Sequence, residues 1–192
     1  MNPLRRAIRA FSIRSRTKKG AFISEWMDHQ EVQTVLMVGA LPSEPGSNIG
    51  IVEDAVIRGR EVKMGIGLRP QPRSIYPYMI ADARKMPFED DYVDFALANA
   101  VIEHVGDEAD QRRMVEEHCR VARCWAITTP NRWFPVESHT AVMFLHWLPS
   151  WRGKRKEFSR LLSLREFREL LPPNAEIKGS WWSPTFTATF AR

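Results

Sequence analysis

Two stretches of this chain place proton-handling side chains where a ligand could meet them. Glu103 and His104 stand side by side in NAVIEHV, directly after an apolar run that ends at Asn99. Histidine titrates near neutrality, so His104 suits a general base that takes a proton from a hydroxyl or an amine. The same imidazole serves equally well by bonding loop backbone and shaping a pocket. Further on, TPNRWFPVESH gathers Asn131, Glu137 and His139, a set able to contact a substrate or to brace its own loop. A third stretch, VLMVGALPSEPGSN, runs four apolar residues into Gly39, then a Gly, Pro and Ser-rich loop, then a helix-compatible segment. That is the layout of a strand feeding a phosphate or nucleotide loop, without the full glycine set such loops use. No His, Cys and carboxylate spacing spells a metal site. Cys119 and Cys124 are neither a thioredoxin-like pair nor a zinc knuckle, and a reducing, cytoplasmic setting suits them.

The elements that must position these residues follow from periodicity. Strands are expected at 34–39, 61–68, 78–82, 92–99 and 124–129, each rich in apolar or β-branched residues. Helices are expected at 47–59, with Ser47 or Asn48 as N-cap and Gly59 as stop, and at 107–122, where Met114, Val115, His118, Val121 and Ala122 share one face. A helix at 163–172 and two closing strands, AEIKGSWW and TFTATFA, complete the chain; their short connection predicts an antiparallel pair. Trp181 and Trp182 cannot both face the core if they lie in one strand, because successive side chains alternate faces. Near-continuous apolar strands separated by helices indicate a doubly wound α/β domain with a parallel sheet covered on both sides. In such a sheet ligands bind beyond the carboxyl ends of the strands. That rule selects the loop after Gly39, the turn at Gly67, Asp82–Ala83, Asn99–His104 and Thr129–His139.

Length and charge narrow the options. The 192 residues suffice for one domain with a full core. No apolar run approaches the roughly 18 residues of a membrane span, and no signal-peptide pattern opens the chain. The net charge of +5 is carried by the first 20 residues, which hold seven basic and no acidic side chains; the remainder has 21 basic against 23 acidic, or −2. The chain therefore divides into a basic arm, 1–20, and a single domain, 21–192. Leu4, Ile8 and Phe11 recur at helical spacing in the arm, which permits a basic amphipathic helix on an anionic membrane or a lead-in helix packed on the domain. Nucleic acid ranks last as a partner, since no recognition motif accompanies the charge.

The stretch ADARKMPFEDDYVDFALANAVIEHV resembles the corresponding segment of class I S-adenosylmethionine-dependent methyltransferases of type 11, in Asp82, Ala83, Pro87, Phe88, Asp91, Asp94, Glu103 and His104. TPNRWFPVESH and the two closing strands continue the likeness, over about 30–192. The resemblance implies a Rossmann-like seven-stranded sheet whose last strand is inserted antiparallel, with S-adenosylmethionine as cofactor. It places Gly39 and Gly46 under the methionine part, Asp82 on the adenine amino group, the Ala83 backbone against the ring, and Asn99 beside the methyl group. Asp82 also reads, less strongly, as a residue that ends a strand and starts a turn; Asp94, early in its strand, reads as structural. His104 would be the catalytic base, and Asn131, Glu137 and His139 the acceptor-side residues. The expected acceptor is a small molecule or a glycan or lipid intermediate.

Two departures from the family pattern bear on activity. Met37 stands where the first motif has an Asp, with LPSE in place of its middle glycine, and Gly67 stands where an acidic residue would hold the ribose hydroxyls. A hydrogen bond to a charged group contributes about 1.5–3 kcal/mol, so one such loss weakens binding roughly 10- to 150-fold without forbidding it. Glu44, in the longer loop, is a candidate substitute. A fold can outlive its chemistry, so the alternative is a non-catalytic binding or scaffold protein that has lost cofactor affinity.

Overall fold

The computed structural model describes residues 3–39, 50–135 and 160–192. The described elements run α1 (Pro3–His29), β1 (Thr34–Val38), α2 (Ile51–Ile57), β2 (Glu61–Gly67), β3 (Tyr78–Ile80) and β4 (Val93–Asn99). A 3-10 turn (Ile102–His104), α3 (Glu108–Val121), β5 (Ala122–Pro130), α4 (Leu164–Leu170), β6 (Glu176–Lys178) and β7 (Thr185–Ala191) follow. The strands form one seven-stranded sheet in the order β3-β2-β1-β4-β5-β7-β6. β1 pairs in parallel with β2 and β4, while β7 is inserted antiparallel between β5 and β6. Both the doubly wound α/β class and the inverted last strand are as the sequence predicts.

Alternation along the strands sorts the core into two layers. Leu36, Val38, Ala96, Ala98, Trp125 and Ile127 meet Met114 and Val115 of α3 and Phe167 and Leu170 of α4. Val35, Met37, Phe95, Leu97 and Ala126 meet Ile23 and Met27 of α1 and Val52 and Val56 of α2. Local chemistry sets the element ends. The Asp107 carboxylate accepts the Asp110 N–H at the start of α3, and Ser163 with Glu166 forms a reciprocal capping box on α4. Asp94 staples the start of β1 to β4 by accepting from the Gln33 and Thr34 N–H groups and the Thr34 hydroxyl at 2.8–3.0 Å. Burial works to raise the Asp94 pKa, but these bonds outweigh it and the net shift is downward. Its role is structural, as its early strand position indicates.

Three expectations change in detail. α2 begins at Ile51 with Gly50 as N-cap, its φ of 92° in the left-handed region, rather than at Ser47 or Asn48, which lie outside the described residues. Trp181 and Trp182 are in the turn between β6 and β7, not in a strand. Both are exposed, and their rings contact each other with centroids 3.9 Å apart. The end of the basic arm, residue 20, falls inside the continuous helix α1. Gly20 lies there because α2 packs on it: a Cβ would meet the Ala55 methyl at 3.0 Å.

Candidate functional site

The sheet order reverses between β1 and β4, and a cavity of about 260 Å³ opens at that point, beyond the carboxyl ends of β1, β2 and β4. Its size is close to the lower end of the roughly 300–1,000 Å³ common for small-molecule sites. Gly39, Gly67, Asp82, Ala83, Ala100 and His104 are among the residues lining it. Four of the residues expected at the site, Gly39, Asp82, Ala83 and His104, are therefore brought together.

Each is held by its own local cause. Gly39 has φ of 65°, donates its N–H to the Ile66 carbonyl at 2.7 Å, and leaves no room for a side chain, since a Cβ would lie 2.7 Å from Val101 Cγ2. Only glycine suits that combination of backbone angle and close approach. Ala100 has φ of 57°, a conformation that costs a non-glycine residue of order 1–3 kcal/mol and gathers at functional sites. Its N–H is bonded to both the carbonyl and the hydroxyl of Thr128.

Asp82 anchors its own turn. Its carboxylate accepts from the Arg84 N–H and from the guanidinium at 2.6–3.0 Å, and Arg84 also bridges to Asp110. The hydrogen bonds from Arg84 hold the Asp82 carboxyl below its ordinary pKa, so it is an acceptor at neutral pH. The turn role and the ligand role are compatible, because a carboxylate offers about four lone-pair sites. His104, in the 3-10 turn, is exposed at the cavity wall.

Asn99 goes elsewhere. Strand alternation turns its side chain to the α1/α2 layer, where its amide donates to Glu53 at 2.7 Å and its Oδ1 accepts from Lys19 Nζ at 2.8 Å and the Thr128 hydroxyl at 2.7 Å. It is absent from the cavity lining, which Ala100 enters instead. Lys19 reaches this cluster from α1; burial lowers its pKa to about 8, partly offset by Glu53. No local sequence motif marks Lys19 or Glu53 as part of this cluster. The available signal is Lys19 sharing a helical face with Ile23 and Met27, both fully buried.

Asn131 is buried and braces the chain rather than facing the cavity. Its amide donates to the Trp181 and Ser183 carbonyls, and its Oδ1 accepts the Trp133 N–H. Gly46, Glu44, Glu137 and His139 lie outside the described residues. Glu103 is buried and accepts from the Thr129 hydroxyl at 3.3 Å. Met37 is fully buried among Val52, Val56 and Ile23, a packing residue rather than a loop organiser. His118 is core: its Nδ1 lies 2.7 Å from the Met114 carbonyl, and burial lowers its pKa to about 4. Among the described residues no group of His, Cys, Asp and Glu is arranged to hold a metal, and no helix is long and apolar enough to cross a membrane.

A mostly parallel sheet whose order reverses at β1/β4, with a positive-φ glycine closing β1 and a cavity over the strand ends, defines a Rossmann-like α/β domain. The comparisons with known proteins narrow the class. Residues 60–124 match the methyltransferase domain of type 11. The PH0226 protein of Pyrococcus horikoshii is 15% identical, with a TM-score of 0.58, 92% of this chain and 90% of that one being covered. A SAM-dependent methyltransferase from Archaeoglobus fulgidus gives 0.60 at 10% identity, covering 92% and 94%. Magnesium protoporphyrin IX methyltransferase from Synechocystis, solved with bound SAH, gives 0.58 at 10% identity, covering 100% and 88%. No curated protein sequence matches. The central third of the chain thus matches a methyltransferase domain, and the fold is that of these solved methyltransferases.

Proposed function

We propose that this chain is an S-adenosylmethionine-dependent methyltransferase acting on a small molecule or a glycan or lipid intermediate. The observation that carries the reading is the cavity itself, which gathers Gly39, Asp82, Ala83 and His104 from three separate stretches of sequence. The residues fit the cofactor: Gly39, lacking a side chain, lets Val101 close on the β1 tip at the cavity wall, and the ionised Asp82 retains acceptor capacity for an exocyclic amine. S-adenosylmethionine supplies an electrophilic methyl group on a sulfonium. Gly39 gives the ligand access to the β1 tip, Ala83 offers backbone to an aromatic ring, and Val101 and Val105 exclude water. His104 stands at the wall where an acceptor would enter and can take its proton. Orientation of the two reactants does most of the work such a transfer needs.

Titration calorimetry with S-adenosylmethionine and S-adenosylhomocysteine tests this. Micromolar, stoichiometric binding supports it; a folded protein giving no heat at millimolar ligand favours the non-catalytic reading. That second reading draws on Met37, which is packed in the core with nothing of the missing Asp restored there. As a partner surface, exposed Arg6, Arg9 and Arg14 of α1 support peripheral contact with an anionic membrane. Salt-sensitive binding to phosphatidylglycerol vesicles, absent with phosphatidylcholine, is the expected result, and equal binding to both would remove the proposal.

A further inference from the structure

β2 contains two glycines, Gly65 and Gly67, and neither has a positive φ, so backbone conformation does not require them. Glycine inside a strand otherwise marks close approach by something else. That something is a pair of tyrosines. A Cβ at Gly65 would lie 2.5 Å from the Tyr76 ring and 3.0 Å from the Tyr78 ring, and a Cβ at Gly67 would collide with the Tyr78 hydroxyl. Tyr78 opens β3 directly opposite Gly65, and its ring runs forward along β2 so that the hydroxyl arrives over Gly67. A Cβ on Gly67 would also lie 3.9 Å from the Gly39 Cα, at the edge of the first loop. Tyr78 lines the cavity.

Position 67 is where the resemblance calls for a carboxylate on the ribose hydroxyls. Here the space of that side chain is filled by the oxygen of another residue. We propose that the Tyr78 hydroxyl is the ribose-binding group of this site, replacing the carboxylate missing at Gly67. Its chemistry suits the task. The phenol donates its own proton to the Arg69 carbonyl at 3.0 Å, which leaves the oxygen lone pairs to accept from ligand hydroxyls, as a carboxylate oxygen would. Burial raises the Tyr78 pKa, so the group stays a neutral phenol at working pH. The exchange replaces a charged acceptor by an uncharged one at the same place.

This inference rests on the nucleotide-binding reading of the cavity, and the experiment separates the two. Binding of adenosine and of 2′,3′-dideoxyadenosine would be measured by calorimetric competition against S-adenosylhomocysteine, for the wild type and Tyr78→Phe. The wild type should prefer adenosine by about 3- to 10-fold, the range of a neutral hydrogen bond, and Tyr78→Phe should lose that preference while binding the dideoxy compound unchanged. A purely structural role would weaken both ligands together and leave the preference intact, which would overturn the proposal. The second arm restores the missing acid: Gly67→Asp alone should abolish binding by collision with Tyr78, and Gly67→Asp with Tyr78→Ala should recover affinity to within a few-fold of the wild type. A folded double variant that does not recover would also overturn it. A wild type that binds no adenosine-containing ligand would refute the cofactor reading as well.

Discussion

The tips of β4 and β5 present two opposite surfaces, one closed and one open. On the α1/α2 side, Lys19, Glu53, Asn99 and Thr128 bond one another in a partly buried polar cluster. On the other side, one residue later, Ala100 and Val101 line an open cavity with Gly39, Tyr78, Asp82 and His104. Adjacent residues thus go to different uses, because strand alternation sends Asn99 to the α1/α2 layer, while the chain leaves the strand at Ala100 with a left-handed φ and turns to the cavity. The contrast teaches that a polar residue at the end of the fourth strand is not by itself a ligand contact. At the tip of β4 it is the small residues, which leave space, that face the cavity, while the polar side chain ties an N-terminal helix to the sheet.

The largest effect is expected where the open side is least tolerant. Gly39→Val combines a left-handed φ with a collision against Val101 and should weaken S-adenosylhomocysteine binding roughly 100-fold or more. Calorimetry showing wild-type affinity would mean the β1 tip is not part of the site.

Next comes the closed side. Lys19→Met leaves the Asn99 and Thr128 oxygens without their charged donor, a loss of about 1.5–3 kcal/mol. Relief of the buried ammonium partly offsets it, so a smaller net destabilisation near neutral pH is expected from urea unfolding. The pH dependence carries a sign. The Lys19 pKa is about 8 in the fold and ordinarily 10.5, so between these values the unfolded chain holds more protons and stability should rise with pH. Tyr76, pushed up to about 12 from 10 mainly by burial, acts oppositely above pH 10 by keeping its proton only in the fold. The rise should therefore be seen between about pH 8 and 10 and vanish in Lys19→Met; an unchanged profile would place the lysine head in solvent.

Smaller again is the division of labour within the cavity. Asp82→Ala should weaken ligand binding about 10-fold, the loss of one charge-assisted hydrogen bond. His104→Ala should leave the dissociation constant within about twofold and slow turnover once an acceptor is found. Equal losses of affinity would undo that assignment. Smallest of all, Trp181→Ala and Trp182→Ala should shift stability by about 0.5 kcal/mol or less, since both rings are more than 60% exposed. A drop of several degrees in melting temperature would show them to be packed.

The fold was legible because its signals are local and repeated. Apolar strands such as ALAN and CWAITT, the Asp107 and Ser163 caps and the ADARKMPF run each point the same way. The site was legible only where side-chain identity coincides with strand-end position, as at Gly39, Asp82, Ala83 and His104. The sequence places Asn99 at the cavity because it marks the end of β4 without fixing which layer its last residue faces. The sequence suggests substrate contact at Asn131 because two of its structural partners lie far along the chain, at 181 and 183, and the third is Trp133. Lys19 and Tyr78 act across long sequence separations, from α1 and β3, and no local pattern announces such contacts. The glycines at 65 and 67 were the one trace of Tyr78.

The most direct test of the account is to locate a ligand on these tips. Amide chemical-shift mapping of the ¹⁵N-labelled protein with S-adenosylhomocysteine should move Gly39, Gly67, Ala83 and Ala100 while leaving Lys19, Glu53 and Leu97 in place. Saturable shifts confined to the α1/α2 side, or none at all at millimolar ligand, would contradict the assignment of the open cavity as the cofactor site.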